Sequence, residues 1–175
     1  CHGQRCLSRK LARMSDHNAV VIEFMAACRK AGIMAATAES CTGGMIAAAI
    51  TDIAGSSDVF DRGFITYSNE AKIEMLCVSP QTLQTHGAVS RETAQEMASG
   101  ALAKSRAGIA LAVTGIAGPG GGSADKPVGL VWFGIAVKGQ PVVAQSHIFD
   151  DKGRAFIRDE TVRTALELGI TALAL

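Results

Sequence analysis

The stretch that decides the fold is IMAATAESCTGGMIAAAI, residues 33–50. Five of its first seven residues are apolar, which is typical of a buried strand. The residues SCTGG then interrupt the apolar run, and residues 42–53 predict a helix. A buried strand that leads at once into a helix is characteristic of α/β folds, in which helices cover the faces of a sheet.

The rest of the chain repeats this alternation. Further helices are predicted at residues 17–31, 70–76, 90–107 and from residue 150 to the end. Further strands are predicted at residues 64–68, at 108–115 and in a hairpin over 128–149. We therefore expect a three-layer α/β/α sandwich with a mixed, mostly parallel sheet. Ligands of such sheets bind outside the carboxyl ends of the strands, so loops 39–44, 67–72 and 114–127 should form one site.

Charge argues against a nucleic-acid partner. Four basic residues and no acid lie in the first thirteen residues: Arg5, Arg9, Lys10 and Arg13. The rest of the chain holds 13 basic and 16 acidic residues, a net charge of −3, without the basic face expected of a nucleic-acid binder. Met14 resembles a natural start, so we expect residues 1–13 to be a disordered leader or extension and residues 14–175 to form a single domain.

Composition and cysteine usage narrow the class further. No apolar run reaches the roughly 18 residues that a membrane span needs. The five cysteines, at positions 1, 6, 28, 41 and 77, form no C-x-x-C pair and no metal-ligand spacing. These features predict a reduced, cytoplasmic protein without a metal, in which Cys28 and Cys77 are small core residues. Compact apolar domains often self-associate symmetrically, so a homo-oligomer is an open alternative to a monomer.

Ser40 lies at the predicted strand-to-helix turn. Backbone N–H groups at a helix start can stabilise an oxyanion while a serine there attacks a carbonyl. The local pattern is not a G-x-S-x-G elbow, because Ala38 and Thr42 occupy the glycine positions. A routine helix N-cap cluster explains the same residues.

A serine nucleophile needs a base, and the segment TYSNEAK offers Tyr67 and Lys72. A lysine buried among apolar groups has a lowered pKa, so its neutral amine can accept a proton. A tyrosine hydroxyl can relay that proton or orient the amine. The alternative is that Lys72 is an ordinary surface lysine. His86 follows a short predicted helix, and we expect it to be structural.

Two further features could bind phosphate. The glycine-rich loop at residues 116–127 matches neither a Walker A motif nor G-x-G-x-x-G, and is either a phosphate or sugar loop or a flexible solvent loop. Arg154 and Arg158 are four residues apart on the last predicted helix and share a face. They could bind a phosphate together, or form part of a solvated, salt-bridged surface.

Several long segments in series resemble one family. TAESCTGG, DIAGSSDVFDRGFITYSNEAK, HGAVS, TGIAGPGGGSADKPVG and VWFGIA are similar to motifs of the CinA carboxy-terminal domain family of nicotinamide mononucleotide amidohydrolases. The resemblance runs in order, from about His17 to near the end of the chain. It implies a three-layer α/β/α fold and hydrolysis of nicotinamide mononucleotide to nicotinate mononucleotide and ammonia. It implies no metal and no organic cofactor.

The resemblance also implies residue roles. Ser40 would be the nucleophile and Lys72 the base, with Tyr67 assisting. Backbone amides near Thr42 and Gly43 would stabilise the oxyanion. For the 5′-phosphate, our own candidates are Arg154 and loop 114–122, which holds Thr114, Gly115 and Gly118. A nucleotide-binding regulatory module without turnover, and an amidase for another small substrate, are the alternatives.

Overall fold

A computed structural model describes the backbone of residues 3–174 and the side chains of residues 17–174. The side chains of residues 1–13 lie outside the described part of the chain. That these residues form a leader or extension stays a prediction. The described helices are α1 (Gly3–Ala31), α2 (Met45–Thr51), α3 (Asn69–Leu76), α4 (Pro80–His86), α5 (Arg91–Ala103) and α6 (Arg154–Leu173). The described strands are β1 (Ala35–Glu39), β2 (Phe60–Ile65), β3 (Ile109–Gly115), β4 (Leu130–Val137) and β5 (Val143–Ile148).

The strands form one mixed sheet in the order β2-β1-β3-β4-β5. β1 pairs in parallel with both β2 and β3, whereas β4 is antiparallel to β3 and β5 is antiparallel to β4. Four of the strands therefore run in one direction and β4 runs against them. Because β1, β2 and β3 are parallel neighbours, the loops that follow them leave the same edge of the sheet.

Helices cover both faces of this sheet, which confirms the predicted three-layer fold. One face packs against α1, α2 and α6, through residues such as Phe24, Ile46 and Leu166. The other face packs against α3, α4 and α5, and its strands contribute mainly alanines, among them Ala36 and Ala110. Small side chains let α5 lie close to the sheet. At Gly134 in β4 a Cβ would collide with the Ala94 carbonyl of α5.

Side-chain caps fix the starts of three helices around the site. Ser68, Ser79 and Ser90 each accept a hydrogen bond from a backbone N–H in the first turn of α3, α4 and α5 respectively. Each cap satisfies an N–H group that the helix itself leaves without a partner. The cap at Ser68 sets where α3 begins, and so where Lys72 lies.

The second strand lies earlier in the chain than we predicted. We expected a strand at residues 64–68 after a turn, but β2 is Phe60–Ile65. The polar residues Asp61 and Arg62 suggested a turn, yet an edge strand accommodates charge. Asp61 is held by the Arg106 guanidinium at 2.8 Å and by the Arg106 backbone N–H at 3.0 Å.

Two smaller expectations also need correction. The last helix begins at Arg154, after Gly153, rather than at residue 150. Cys28 is buried as predicted, but Cys77 is exposed and ends α3 in a left-handed conformation with φ 58°. A cysteine at a helix C-terminus therefore does not belong to the core here. Among the described residues, no helix is long and apolar enough to cross a membrane.

Candidate active site

Ser40 is the first residue after β1, at the edge where the parallel strands end. Its backbone N–H donates to the Val113 carbonyl at 3.1 Å, which continues the β1–β3 pairing one residue beyond the strand. The chain then turns through Gly43 and Gly44, both with positive φ (60° and 103°), before α2 begins. Glycine adopts this left-handed backbone without the steric cost that other residues meet.

Lys72, on α3, points into the interior towards this turn. Its side chain is almost fully buried, at 1% exposure. Its Nζ lies 2.8 Å from the Thr66 carbonyl and 3.1 Å from Ser40 Oγ. Burial lowers the pKa of the Lys72 ammonium, because a low-dielectric surrounding disfavours the charged form. The alternative that Lys72 is an ordinary surface lysine is therefore wrong. A serine hydroxyl and an amine that can lose its proton are in contact.

Cys41, beside Ser40, is a poor rival nucleophile. Its side chain is buried, at 5% exposure. Burial raises the pKa of the Cys41 thiol to about 11. Since the thiolate is the reactive form of cysteine, this thiol is inert near neutral pH.

Glu39 is a residue of the site that the sequence reasoning missed. Its fully buried carboxylate accepts four hydrogen bonds, from the Thr42 hydroxyl (2.6 Å) and the backbone N–H groups of Gly44 (3.1 Å), Ile46 (3.0 Å) and Ala47 (2.9 Å). A carboxylate at a helix N-terminus satisfies free N–H groups and complements their partial positive charge. The available signal was an acid at the end of an otherwise uncharged buried strand, just before the helix.

Arg158, on α6, holds the same turn from another side. Its Nε donates to the Cys41 carbonyl at 3.0 Å, and its Nη2 donates to the Thr42 carbonyl at 2.9 Å. The arginine is partly buried, so it is not part of a solvated, salt-bridged face. Residues 40–44, which we name the nucleophile loop after the role predicted for Ser40, are thus fixed by contacts with Glu39, Val113 and Arg158.

Arg154, one turn earlier on α6, joins two other predicted site segments. Its Nη1 donates to the Gly118 carbonyl at 2.9 Å, and its Nη2 donates to the Tyr67 hydroxyl at 2.9 Å. Tyr67 is 62% exposed. In the described part of the chain its hydroxyl is hydrogen-bonded to Arg154 and to neither Lys72 nor Ser40. Arg154 and Tyr67 are exposed, whereas Gly118, whose carbonyl accepts from Arg154, is buried.

The other predicted binding residues are engaged by the protein itself. Thr114 is buried and its hydroxyl donates to the Ala88 carbonyl at 2.7 Å. Gly115 ends β3 and is close-packed, since a Cβ there would lie 2.6 Å from Val131 Cγ2. The Thr42 side chain is buried against Glu39, and the Gly43 N–H donates to the Ser40 carbonyl at 3.1 Å. These residues shape the backbone around the site.

The His86 imidazole pairs with a carboxylate outside this arrangement. His86 ends α4, where its Nδ1 lies 3.6 Å from a Glu92 carboxylate oxygen. Among residues 17–174, no three His, Cys, Asp or Glu side chains lie close enough together to hold a metal ion. The chemistry gathered at the sheet edge is that of a serine, a buried lysine and two arginines.

Comparison with known proteins places this geometry in a family. The family model for the CinA C-terminal domain matches residues 17–173. A nicotinamide-nucleotide amidohydrolase PncC of Enterobacter agglomerans is 55% identical over 132 residues, covering 75% of this chain and 80% of the relative. The protein of that name from Escherichia coli K12 is 50% identical over 135 residues, covering 77% of this chain and 82% of the relative.

Other relatives are longer, and solved structures share the fold. A putative competence-damage inducible protein of Caldicellulosiruptor bescii is 54% identical over 131 residues, but the match spans only 31% of that protein. The crystal structure of the competence/damage inducible protein CihA from Agrobacterium tumefaciens superposes with a TM-score of 0.87 at 54% identity. It covers 91% of this chain and 96% of that one. The resemblance first found in short motifs thus extends through the fold.

Proposed function

The chain belongs to the CinA C-terminal domain family, and we propose that it hydrolyses the carboxamide of nicotinamide mononucleotide through an acyl-enzyme on Ser40. Relatives that are 50–55% identical over three quarters of the chain bear the name nicotinamide-nucleotide amidohydrolase. This relationship supports an amidohydrolase. The products would be nicotinate mononucleotide and ammonia, and their formation would recycle pyridine nucleotides.

One observation carries the mechanism: Lys72 Nζ lies 3.1 Å from Ser40 Oγ in a buried setting. That distance is within reach for direct proton transfer. The lowered pKa of Lys72 raises the fraction of neutral amine, which is the form that can act as a base. The contact to the Thr66 carbonyl at 2.8 Å keeps the amine in place.

The chemical steps follow from these positions. Neutral Lys72 accepts the Ser40 hydroxyl proton as Oγ bonds to the carboxamide carbon. The tetrahedral intermediate collapses by breaking the C–N bond, and Lys72 returns the proton to the departing ammonia. Water then attacks the acyl carbon while Lys72 accepts a proton from it. The bond between that carbon and Ser40 Oγ breaks, Lys72 returns the proton to Oγ, and the acid product leaves and ionises to the carboxylate. The positive pyridinium ring withdraws electrons from the carbonyl and favours attack.

We assign the oxyanion to the backbone of the nucleophile loop. The Gly43 amide is already engaged by the Ser40 carbonyl, which makes the Thr42 amide the better candidate of the two. Glu39 binds the Gly44, Ile46 and Ala47 amides, so the helix start itself is closed to substrate. A donor fixed in place before the reaction needs no rearrangement as charge develops.

Arg154 and Tyr67 are the candidates for the outer part of the substrate. Arg154 is exposed and contacts Gly118 of the glycine-rich loop, which suits a guanidinium that binds a phosphate near backbone amides. Tyr67 would act there, by orienting Arg154 and contacting substrate. Its bond to Arg154 does not support a direct proton relay to Lys72.

The test is ammonia release from nicotinamide mononucleotide without added metal. We expect release by the wild type and a loss on the order of 10³-fold or more in Ser40→Ala, since the nucleophile and its base act as a unit. Cys41→Ala is the matched control, and it should retain most of the activity. Full activity in Ser40→Ala with loss in Cys41→Ala would transfer the role to the thiol and refute the assignment.

Substrate choice is tested separately with free nicotinamide. Free nicotinamide lacks the phosphate, the ribose and the positive charge on the ring, so it should be a far poorer substrate than the nucleotide. Equal rates on both would favour an amidase for another small molecule. Nucleotide binding without any release would favour a regulatory module, against which the Ser40–Lys72 contact argues.

A further inference from the structure

Arg158 is the second arginine on the face of α6 that meets the site, and its surroundings differ from those of Arg154. It directs Nε and Nη2 to two consecutive backbone carbonyls, those of Cys41 and Thr42. Both carbonyls belong to the two residues directly after Ser40. A planar guanidinium that donates two hydrogen bonds has a defined orientation, so the two carbonyls are held as a pair.

Peptide geometry carries the effect of Arg158 to the other side of the loop. In a planar trans peptide the N–H points away from the C=O of the same unit. The contact with the Cys41 carbonyl therefore sets the direction of the Thr42 N–H, and the contact with the Thr42 carbonyl sets that of the Gly43 N–H. A carbonyl that accepts from a cation also polarises its peptide, which makes the N–H a stronger donor.

We propose that Arg158 is a positioning residue for the oxyanion-binding amide of Thr42, acting through the nucleophile-loop backbone without touching the substrate. This inference rests on the proposed function, because it requires an oxyanion formed by attack of Ser40. Glu39 complements Arg158. It holds the Thr42 hydroxyl and the Gly44 amide, so the loop is fixed through both its donors and its carbonyls.

The competing role for Arg158 is phosphate binding together with Arg154. The two roles differ in what they require of the substrate. A phosphate ligand matters only when the substrate carries a phosphate. A residue that orients the oxyanion donor matters for any substrate with the same carboxamide.

The experiment measures ammonia release by Arg158→Gln and Arg158→Lys from nicotinamide mononucleotide and from nicotinamide riboside, which lacks the phosphate. Arg163→Gln is the matched control, since Arg163 lies on the same helix and faces Glu160. Removing an oxyanion donor outright costs about 10²–10³-fold in kcat, so misdirecting one should cost roughly 10- to 100-fold.

We expect Arg158→Gln to lower kcat by that factor on both substrates, with KM changed by less than about threefold. Arg158→Lys should lose less, because an ammonium can still donate to one carbonyl. Rates are expressed per folded molecule, with the folded fraction taken from urea unfolding. If Arg158→Gln does not fold, Arg158→Lys is examined for the same split between kcat and KM.

Two results would overturn the inference. One is a raised KM on the nucleotide, with kcat unchanged and no effect on the riboside, which would make Arg158 a phosphate ligand. The other is wild-type kcat in both variants. In either case the wild type would still be active and Ser40→Ala inactive, so the proposed function would stand. Failure of the proposed function would instead appear as an inactive wild type or as an active Ser40→Ala.

Discussion

The nucleophile loop and the glycine-rich loop (residues 116–127) leave the same edge of the sheet but are built differently. The first is held at almost every residue, by β3 through Val113, by the Glu39 carboxylate and by Arg158. The second is exposed over residues 119–125. Its bonds lie mainly near its ends, such as Ile116 N–H to the Leu130 carbonyl at 2.9 Å. Reaction geometry demands rigid positioning, whereas binding the outer part of a substrate tolerates an open loop.

The largest effect should come from Lys72, the proposed base, which is buried beneath the rigid loop. Lys72→Met should lower kcat by about 10³-fold or more, because it removes the proton acceptor while filling the same space. In the wild type, kcat/KM should rise with pH up to the lowered pKa of Lys72 and then level off, since the neutral amine is the active form. A flat profile below that pKa, with Ser40 still essential, would contradict the role of Lys72 as base.

Stability gives an independent check on the same lysine. Between the lowered folded pKa and the ordinary value of 10.5, the unfolded state binds more protons than the folded state. The free energy of unfolding of the wild type should therefore rise with pH in that window, relative to Lys72→Met. Below the folded pKa the cost of burying the ammonium is fully present, so Lys72→Met should be the more stable protein. Urea unfolding of both proteins across this pH range measures the difference.

Glu39 tests how much of the loop's rigidity comes from a single carboxylate. Glu39→Ala leaves three backbone N–H groups and one hydroxyl without their acceptor in a buried place. We expect a loss of about 2–4 kcal/mol in the free energy of unfolding. Glu74→Gln, at an exposed position on α3, is the control and should change stability little. A loss below about 0.5 kcal/mol in Glu39→Ala would mean that the loop holds its shape without this carboxylate.

Arg154 tests the open side of the site. Arg154→Gln should raise KM for nicotinamide mononucleotide about tenfold or more, because a charge-assisted hydrogen bond to phosphate is lost, and kcat should change less. The effect should vanish on nicotinamide riboside. Steady-state kinetics on both substrates measure it, and a kcat loss of equal size on both would move Arg154 to the reacting centre.

Glycine substitutions should give the smallest effects, and they compare the two loops directly. Gly43→Ala places a side chain at φ 60° and should cost about 1–2 kcal/mol of stability. Gly120→Ala meets no atom within 4 Å and lies outside the left-handed region, so the change should stay within about 0.5 kcal/mol. Urea unfolding of the two variants measures the contrast. Equal costs would mean that the glycine-rich loop is as constrained as the nucleophile loop.

Local patterns were enough for most of the architecture. The apolar run of β3 and the capped start of α5 both appear in the structure near where the sequence placed them. The predicted position of β2 was wrong, because charged residues in an edge strand resemble a turn in sequence until their partners are known. Asp61 finds its partner Arg106 in a segment 45 residues away.

The sequence by itself determined the class of fold and, through resemblance to a family, the identity of Ser40 and Lys72 as candidates. Tertiary structure decided what those residues can do. Lys72 is 32 residues from Ser40, and Arg158 is 117 residues from Cys41, yet each pair is in contact. Burial, a lowered pKa and the orientation of a backbone amide all depend on packing between distant segments, which local residue patterns do not encode.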